Sequence, residues 1–219
     1  MPLSSVLGAQ SLVRPGVCTS STRPASPFEG QLIFETDTNR VVAYDGSAWV
    51  YAVDTDQPPG LQLVKTQTIG TAVSSVTVTN AFSADFDNYL ITIDGGVAST
   101  NIDLNMQLGS TTSTYRYSIM YMSYTSNTVN GLSGDNTTEW IHCGQGNTDQ
   151  LNGRIMIFSP FASKHTVAHW ESSRTGSGGQ NTNGRGVLPN TTSYTDFKLN
   201  CNTGNMTGGT IRVYGYRNS

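Results

Sequence analysis

Charge is scarce in this chain. Only 12% of its 219 residues are Asp, Glu, Lys or Arg, and the formal net charge is −3, whereas a soluble domain ordinarily carries about 25% charged residues. With no cluster of Lys or Arg there is no electrostatic pull toward a phosphate backbone, so nucleic acid is not an expected partner. No run of 18 apolar residues occurs, and the start Met1-Pro2-Leu3-Ser4-Ser5 lacks the basic and then apolar pattern of a secretory signal; neither membrane insertion nor Sec export is predicted. The three cysteines, Cys18, Cys143 and Cys201, cannot all pair within one chain, and none stands in a CxxC spacing. Reduced thiols in a cytosol are expected, and a disulfide scaffold is excluded. Ser, Thr and Asn fill the space that charge leaves, at 70 residues. Their short hydroxyl and amide side chains compete with helical backbone bonds, which favours strands and tight turns over long helices.

The chain reads as four segments. Residues 1–22 have no sustained periodicity, and Pro15-Gly16 interrupts their apolar stretch. They are expected to form an extended arm, which at about 3.3 Å per residue could cross a neighbouring subunit; a frayed terminus is the plainer alternative. Within 23–53, the runs Gln31–Thr36, Val41–Tyr44 and Trp49–Val53 are separated by Asp37-Thr38-Asn39-Arg40 and Asp45-Gly46-Ser47. Short apolar runs divided by Asp/Asn/Gly turns predict a small three-stranded β-meander. Such a thin unit is marginal alone and needs something to lie against. Residues 54–60, with Pro58-Pro59-Gly60, are expected to be a stiff linker. From 61 to 219 strand follows strand. Ile102-Asp103-Leu104-Asn105-Met106-Gln107-Leu108 alternates without a fault, the period of a strand with one wet and one dry face. Similar runs lie near 76–79, 89–93, 115–121, 154–158, 197–201 and 211–214. The fold class is therefore all-β: an N-terminal arm and small meander, then an antiparallel β-sandwich of jelly-roll type. Two stretches, 125–138 and 172–193, lack this pattern and are expected as long loops, of the kind that carry function or meet a partner.

Chemistry is hard to find. There is no GxSxG, P-loop or HExxH. His165 and His169 stand four apart, which on a strand separates them by about 13 Å, too far to chelate one ion, and His142-Cys143 lies elsewhere in the chain. Asp37-Thr38-Asn39 lacks the spacing of a calcium loop and reads as a turn. Asp135, Glu139, Asp149 and Glu171 lie in or near the expected loops and would suit a glycosidase only as a closely spaced pair; solvated loop carboxylates are the plainer reading. No catalytic residue, metal ligand or cofactor is predicted. Tyr115, Tyr117 and Tyr121 share a strand face with Ile119 and are expected in the core. Tyr124 and Trp140 border a long loop, where a flat aromatic surface could stack on a sugar ring; they are the candidate glycan contacts.

Two places are more specific than composition. Thr22-Arg23-Pro24-Ala25-Ser26-Pro27-Phe28-Glu29-Gly30-Gln31-Leu32-Ile33-Phe34-Glu35-Thr36-Asp37-Thr38-Asn39-Arg40, followed by Tyr44-Asp45-Gly46-Ser47-Ala48-Trp49, resembles a segment recurring in tail-fibre-like and minor structural proteins of tailed bacteriophages. The remainder resembles a β-rich module that often follows it, in Asp87-Asn88-Tyr89-Leu90-Ile91-Thr92-Ile93, Tyr115-Arg116-Tyr117 and Gly208-Gly209-Thr210-Ile211-Arg212-Val213-Tyr214-Gly215. The resemblance implies a virion structural protein without catalytic residues. It also implies a homo-oligomer, often a trimer, attached to other virion proteins through residues 1–53 and assembled in the host bacterial cytoplasm. No long repetitive shaft is present, so a short fibre or appendage fits better than a complete long fibre, with host-surface glycan as the expected contact. A capsid head decoration or cement protein and a polysaccharide-degrading tail enzyme are the alternatives.

Overall fold

The structure, a computed structural model, describes residues 15–52, 60–176 and 178–217. The chain divides into two compact units, 1–58 and 59–219. The first 14 residues of the expected arm, and positions 54–59 of the expected linker, lie outside the described residues. No helix occurs among the described residues; the protein is all-β.

The N-terminal unit is a four-stranded sheet in chain order: β1 (Gly16–Cys18), β2 (Leu32–Glu35), β3 (Arg40–Tyr44) and β4 (Trp49–Tyr51). The last three are the meander that the apolar runs predict. The Asp45 carboxylate builds the β3–β4 turn by accepting the Ser47 and Ala48 N–H groups at 2.8 and 2.7 Å. Gly46 there takes φ +97°, where residues with a Cβ are strained. β1 corrects the expected arm, because residues 16–18 pair in parallel with β2. Backbone pairing holds them, with the Thr36 N–H donating to the Cys18 carbonyl at 2.9 Å, and side chains tie down the residues that follow. Ser20 donates its N–H to Asp37 at 2.9 Å, and the Arg23 guanidinium meets Glu35 at 2.5 Å. Ile33, Val42 and Glu35 are buried on one face. Cross-strand register puts Val17, Leu32, Phe34, Val41, Ala43 and Val50 on the other. That face carries no charge, and Val17, Leu32, Val41 and Val50 are exposed on it.

The second unit contains β5 (Leu61–Thr68), β6 (Ser75–Val78), β7 (Phe86–Asp94), β8 (Val97–Ala98), β9 (Ile102–Leu108), β10 (Tyr115–Ser123), β11 (Val129–Thr137), β12 (Trp140–Gly146), β13 (Leu151–Phe158), β14 (Thr166–Arg174), β15 (Gln180–Leu188), β16 (Phe197–Cys201), β17 (Met206–Thr207) and β18 (Thr210–Arg217). Their pairing is nested and antiparallel: β5 with β18, β6 with β16, β7 with β13, and β9 with β12. A long hairpin rolled up in this way gives two sheets, β5-β18-β7-β13 and β6-β16-β9-β12, which is the jelly roll. Ile102, Leu104, Met106 and Leu108 of β9 are fully buried with Ile91, Ile155, Ile157, Phe197, Leu199, Ile211 and Val213. Each such side chain contributes about 1.5–3 kcal/mol of burial.

Four further strands are inserted into this roll. β14, β15, β10 and β11 continue the first sheet beyond β13, making it eight strands wide. They overturn the two long loops expected at 125–138 and 172–193: β11 lies in the first, and the end of β14 with all of β15 in the second. These strands wrap over β12, whose Trp140, Cys143 and Gln145 are all buried. Wrapping is possible because β15 presents Gly184 and Gly186 inward. A Cβ at Gly184 would lie 2.2 Å from the Trp170 indole, and one at Gly186 would lie 2.4 Å from Trp140 Nε1. The tryptophans fill the volume that the glycines leave empty.

Candidate functional site

Alternation along β10 sends Tyr115 and Ile119 inward and Arg116, Ser118, Met120 and Met122 outward. Register then carries rows of side chains across the outer face of the eight-stranded sheet. One row runs Met122, Asn181, Ser173; the next runs Met120, Asn183, Glu171, Arg154, Thr92; a third runs Ser118, Arg185, His169, Met156. The first row, and the second as far as Arg154, line a cleft of about 680 Å³ together with Val129 of β11 and Asn152 of β13. A smaller hollow of about 240 Å³ shares Arg154, Glu171 and Asn183 with the cleft and adds Met156, His169 and Arg185.

The site combines an apolar wall with a polar floor. Met120 is 60% exposed, and Met122 and Val129 are also open to solvent. Asn152 is fixed by two bonds to the Ser173 backbone, donating its amide to the carbonyl at 2.5 Å and accepting the N–H at 2.9 Å. Arg154 and Glu171 form an ion pair at 2.9 Å in which both side chains are more than half exposed. Tyr124 stands at the rim. It is 56% exposed and donates its hydroxyl to Asn181 Oδ1 at 2.7 Å, which holds the ring at the cleft edge. His169 lies against the Phe158 ring, with centroids 5.3 Å apart. Burial and the nearby Arg185 lower its pKa, keeping the imidazole neutral near pH 7.

The other candidate contact is elsewhere. Trp140 is fully buried; its ring makes an edge contact with Tyr115 at 5.2 Å, and its indole N–H donates to the Arg116 carbonyl at 3.2 Å. No ring face is open to a sugar, and Tyr124 and Trp140 form no joint surface. The reason is β15, which covers the start of β12 where a loop was expected.

No family model and no curated protein matches the chain. Among solved structures, a chain from the crystal structure of the infectious bursal disease virus VP2 subviral particle aligns with 88% of this chain at 10% identity and a TM-score of 0.14. This chain spans about half the length of that one (50%), and so low a score carries no argument about fold or function.

The remaining sequence candidates have separate surroundings. Asp135 pairs with Arg116 at 2.6 Å, Glu139 accepts the Asn105 and Asn200 amides, and Glu171 pairs with Arg154. His165 is exposed, while His142 sits 3.2 Å from Asp103. No group of three or more His, Cys, Asp or Glu residues able to hold a metal occurs among the described residues. Tyr115 is buried as expected, and Tyr117 packs against the core. The cleft residues Met120, Met122, Asn181 and Asn183 were not foreseen. One signal was available: Met120, on the otherwise wet face of the 115–121 run, followed two residues later by Met122.

Proposed function

We propose that this chain is a non-enzymatic structural protein of a tailed-bacteriophage virion, a short oligomeric fibre or appendage that docks through its N-terminal region and displays the jelly roll for contact with host-surface glycan. The resemblance of residues 22–49 to a recurring virion segment supports the setting. The apolar, uncharged outer face of the N-terminal sheet supports association, since a thin unit with half a core gains stability when that face is covered.

The observation that carries the recognition role is the outer-face cleft. Amide and hydroxyl groups of Asn183 and Ser173 sit beside the apolar Met120 and Met122, with the Tyr124 ring at the rim. Sugars present hydroxyls and C–H faces together, and a site for them needs both kinds of surface. Antibody against residues 61–219 should label the tail of intact particles. Head-only labelling would replace the appendage reading with that of a decoration protein. Release of new reducing ends from capsular polysaccharide would replace it with that of an enzyme.

A further inference from the structure

We infer that the glycan taken by this face is acidic, with a carboxylate seated at Arg185 and His169 and the neutral part of the chain running along the cleft toward Met120 and Met122. The inference rests on the glycan-binding reading above and names the class of glycan.

The central cations of the outer face are Arg116, Arg154 and Arg185. Arg154 is paired with Glu171 at 2.9 Å and Arg116 with Asp135 at 2.6 Å. Arg185 has no carboxylate partner among the described residues. Its cross-strand neighbours are Ser118 on one side and His169 on the other, and it lines the hollow that adjoins the cleft. A guanidinium is a rigid fork of donors that matches a carboxylate in two parallel bonds. His169 supplies a further donor nitrogen once protonated. Asn183, shared by hollow and cleft, has no side-chain partner among the described residues, so its amide is available to the next hydroxyl along the chain.

Spacing separates this ligand from a nucleic acid. Duplex DNA carries one charge per about 1.7 Å and is held by many cations. Here one guanidinium is unpaired and both neighbouring arginines are already neutralised, in a chain of net charge −3. That pattern suits a polymer with one acid group per several ångströms of neutral chain.

Binding should also respond to pH. The charged groups around His169 are Arg185 on β15, Arg154 on β13, Glu171 on its own strand, and the paired Arg116 on β10 and Asp135 on β11, which line a hollow with His169 and Arg185 on the other side. Burial and Arg185 hold its pKa down in the free protein. A bound carboxylate attracts the imidazolium and offsets the repulsion from Arg185, which raises the pKa, so affinity increases as pH falls toward and below the ordinary histidine value of about 6.5.

The test is an array of purified bacterial surface polysaccharides, half bearing uronic or pyruvate carboxylates and half neutral, probed with the full-length protein. Hits should be confined to acidic members and should vanish when the carboxyl groups of a hit are chemically reduced to alcohols. Arg185→Gln should weaken binding tenfold or more with an unchanged melting temperature. His169→Gln should flatten the pH dependence. Neutral hits indifferent to Arg185→Gln would overturn the acidic class and leave the glycan-binding reading standing. Equal competition by single-stranded DNA would overturn it in favour of a general anion site. An array without hits would overturn the acidic class and the glycan reading together.

Discussion

The outer faces of the two jelly-roll sheets are built from the same alternation and end in opposite states. On the four-stranded sheet the outward amides and carboxylates bond mostly to one another, although Gln145 Oε1 is buried without a partner among the described residues. Glu139 accepts the Asn105 amide at 2.7 Å and the Asn200 amide at 3.0 Å, and Asp103 accepts Gln145 at 2.8 Å and Asn202 at 3.1 Å. Asn105 and Gln145 are buried in this layer although they point away from the core. On the eight-stranded sheet Arg185 and Asn183 have no such partners among the described residues, and Met120 and Met122 stand in water. A face whose amides and carboxylates are mostly paired offers less to a ligand, which is why the open face is the one proposed to bind.

The sharpest way to break this contrast is to break the wrapping that makes the open face. Gly186→Ala puts a methyl 2.4 Å from Trp140 Nε1 and 2.8 Å from the Arg116 carbonyl, and a rigid indole boxed in by Tyr115 and Trp170 cannot withdraw. We expect a loss of about 3 kcal/mol, at the upper end for overpacking, read by denaturant unfolding. A loss below about 1 kcal/mol would show that β15 does not lie on Trp140. Next in size is Glu139→Ala on the closed face, which leaves the Asn105 amide without its acceptor. Stability should fall by about 1–3 kcal/mol while glycan affinity stays unchanged; a parallel fall in affinity would erase the distinction between the faces.

These two sites also show what was legible in sequence. The jelly roll was readable because β9 and β16 alternate apolar and polar residues locally, Ile102 to Leu108 and Phe197 to Cys201. β11 and β15 were not. Their inward positions include Gly134, Gly184 and Gly186, and the bulk that completes each position is a ring from elsewhere, Tyr117, Trp170 or Trp140. Hydrophobicity there is supplied by a distant residue, which periodicity within a window cannot register. The same long-range fact moved Trp140 from a loop border into the core. Tyr124, one residue past β10, kept its exposure.

A smaller effect is the pH dependence that the closed face gives to stability. His142, on the closed face against Asp103 and Arg174, has its pKa lowered by burial, partly opposed by Asp103. The folded state therefore prefers the neutral imidazole. Its contribution is complete above the ordinary value of about 6.5 and declines as pH falls below it, because the unfolded chain takes up the proton first. His142→Gln should make stability between pH 7 and 5 less steep. An unchanged slope would mean that His142 is not buried as described.

The smallest expected change in stability is at Arg154. Its ion pair with Glu171 is more than half exposed on both sides, so Arg154→Gln should shift stability by no more than about 0.5 kcal/mol. Binding should not be so indifferent. Glu171 is a diagonal neighbour of Arg185 across β14 and β15, and diagonal positions in an antiparallel pair are within reach of long side chains. With Arg154 gone, Glu171 is free to turn to Arg185 and occupy the position assigned to the ligand carboxylate. Acidic-glycan affinity should drop several-fold in Arg154→Gln and recover in the double variant Arg154→Gln/Glu171→Gln. Loss in both would mean that Arg154 itself holds the ligand; no loss in either would leave Glu171 without influence on Arg185. Recovery would show that the ion pair's role is to keep Glu171 away from Arg185.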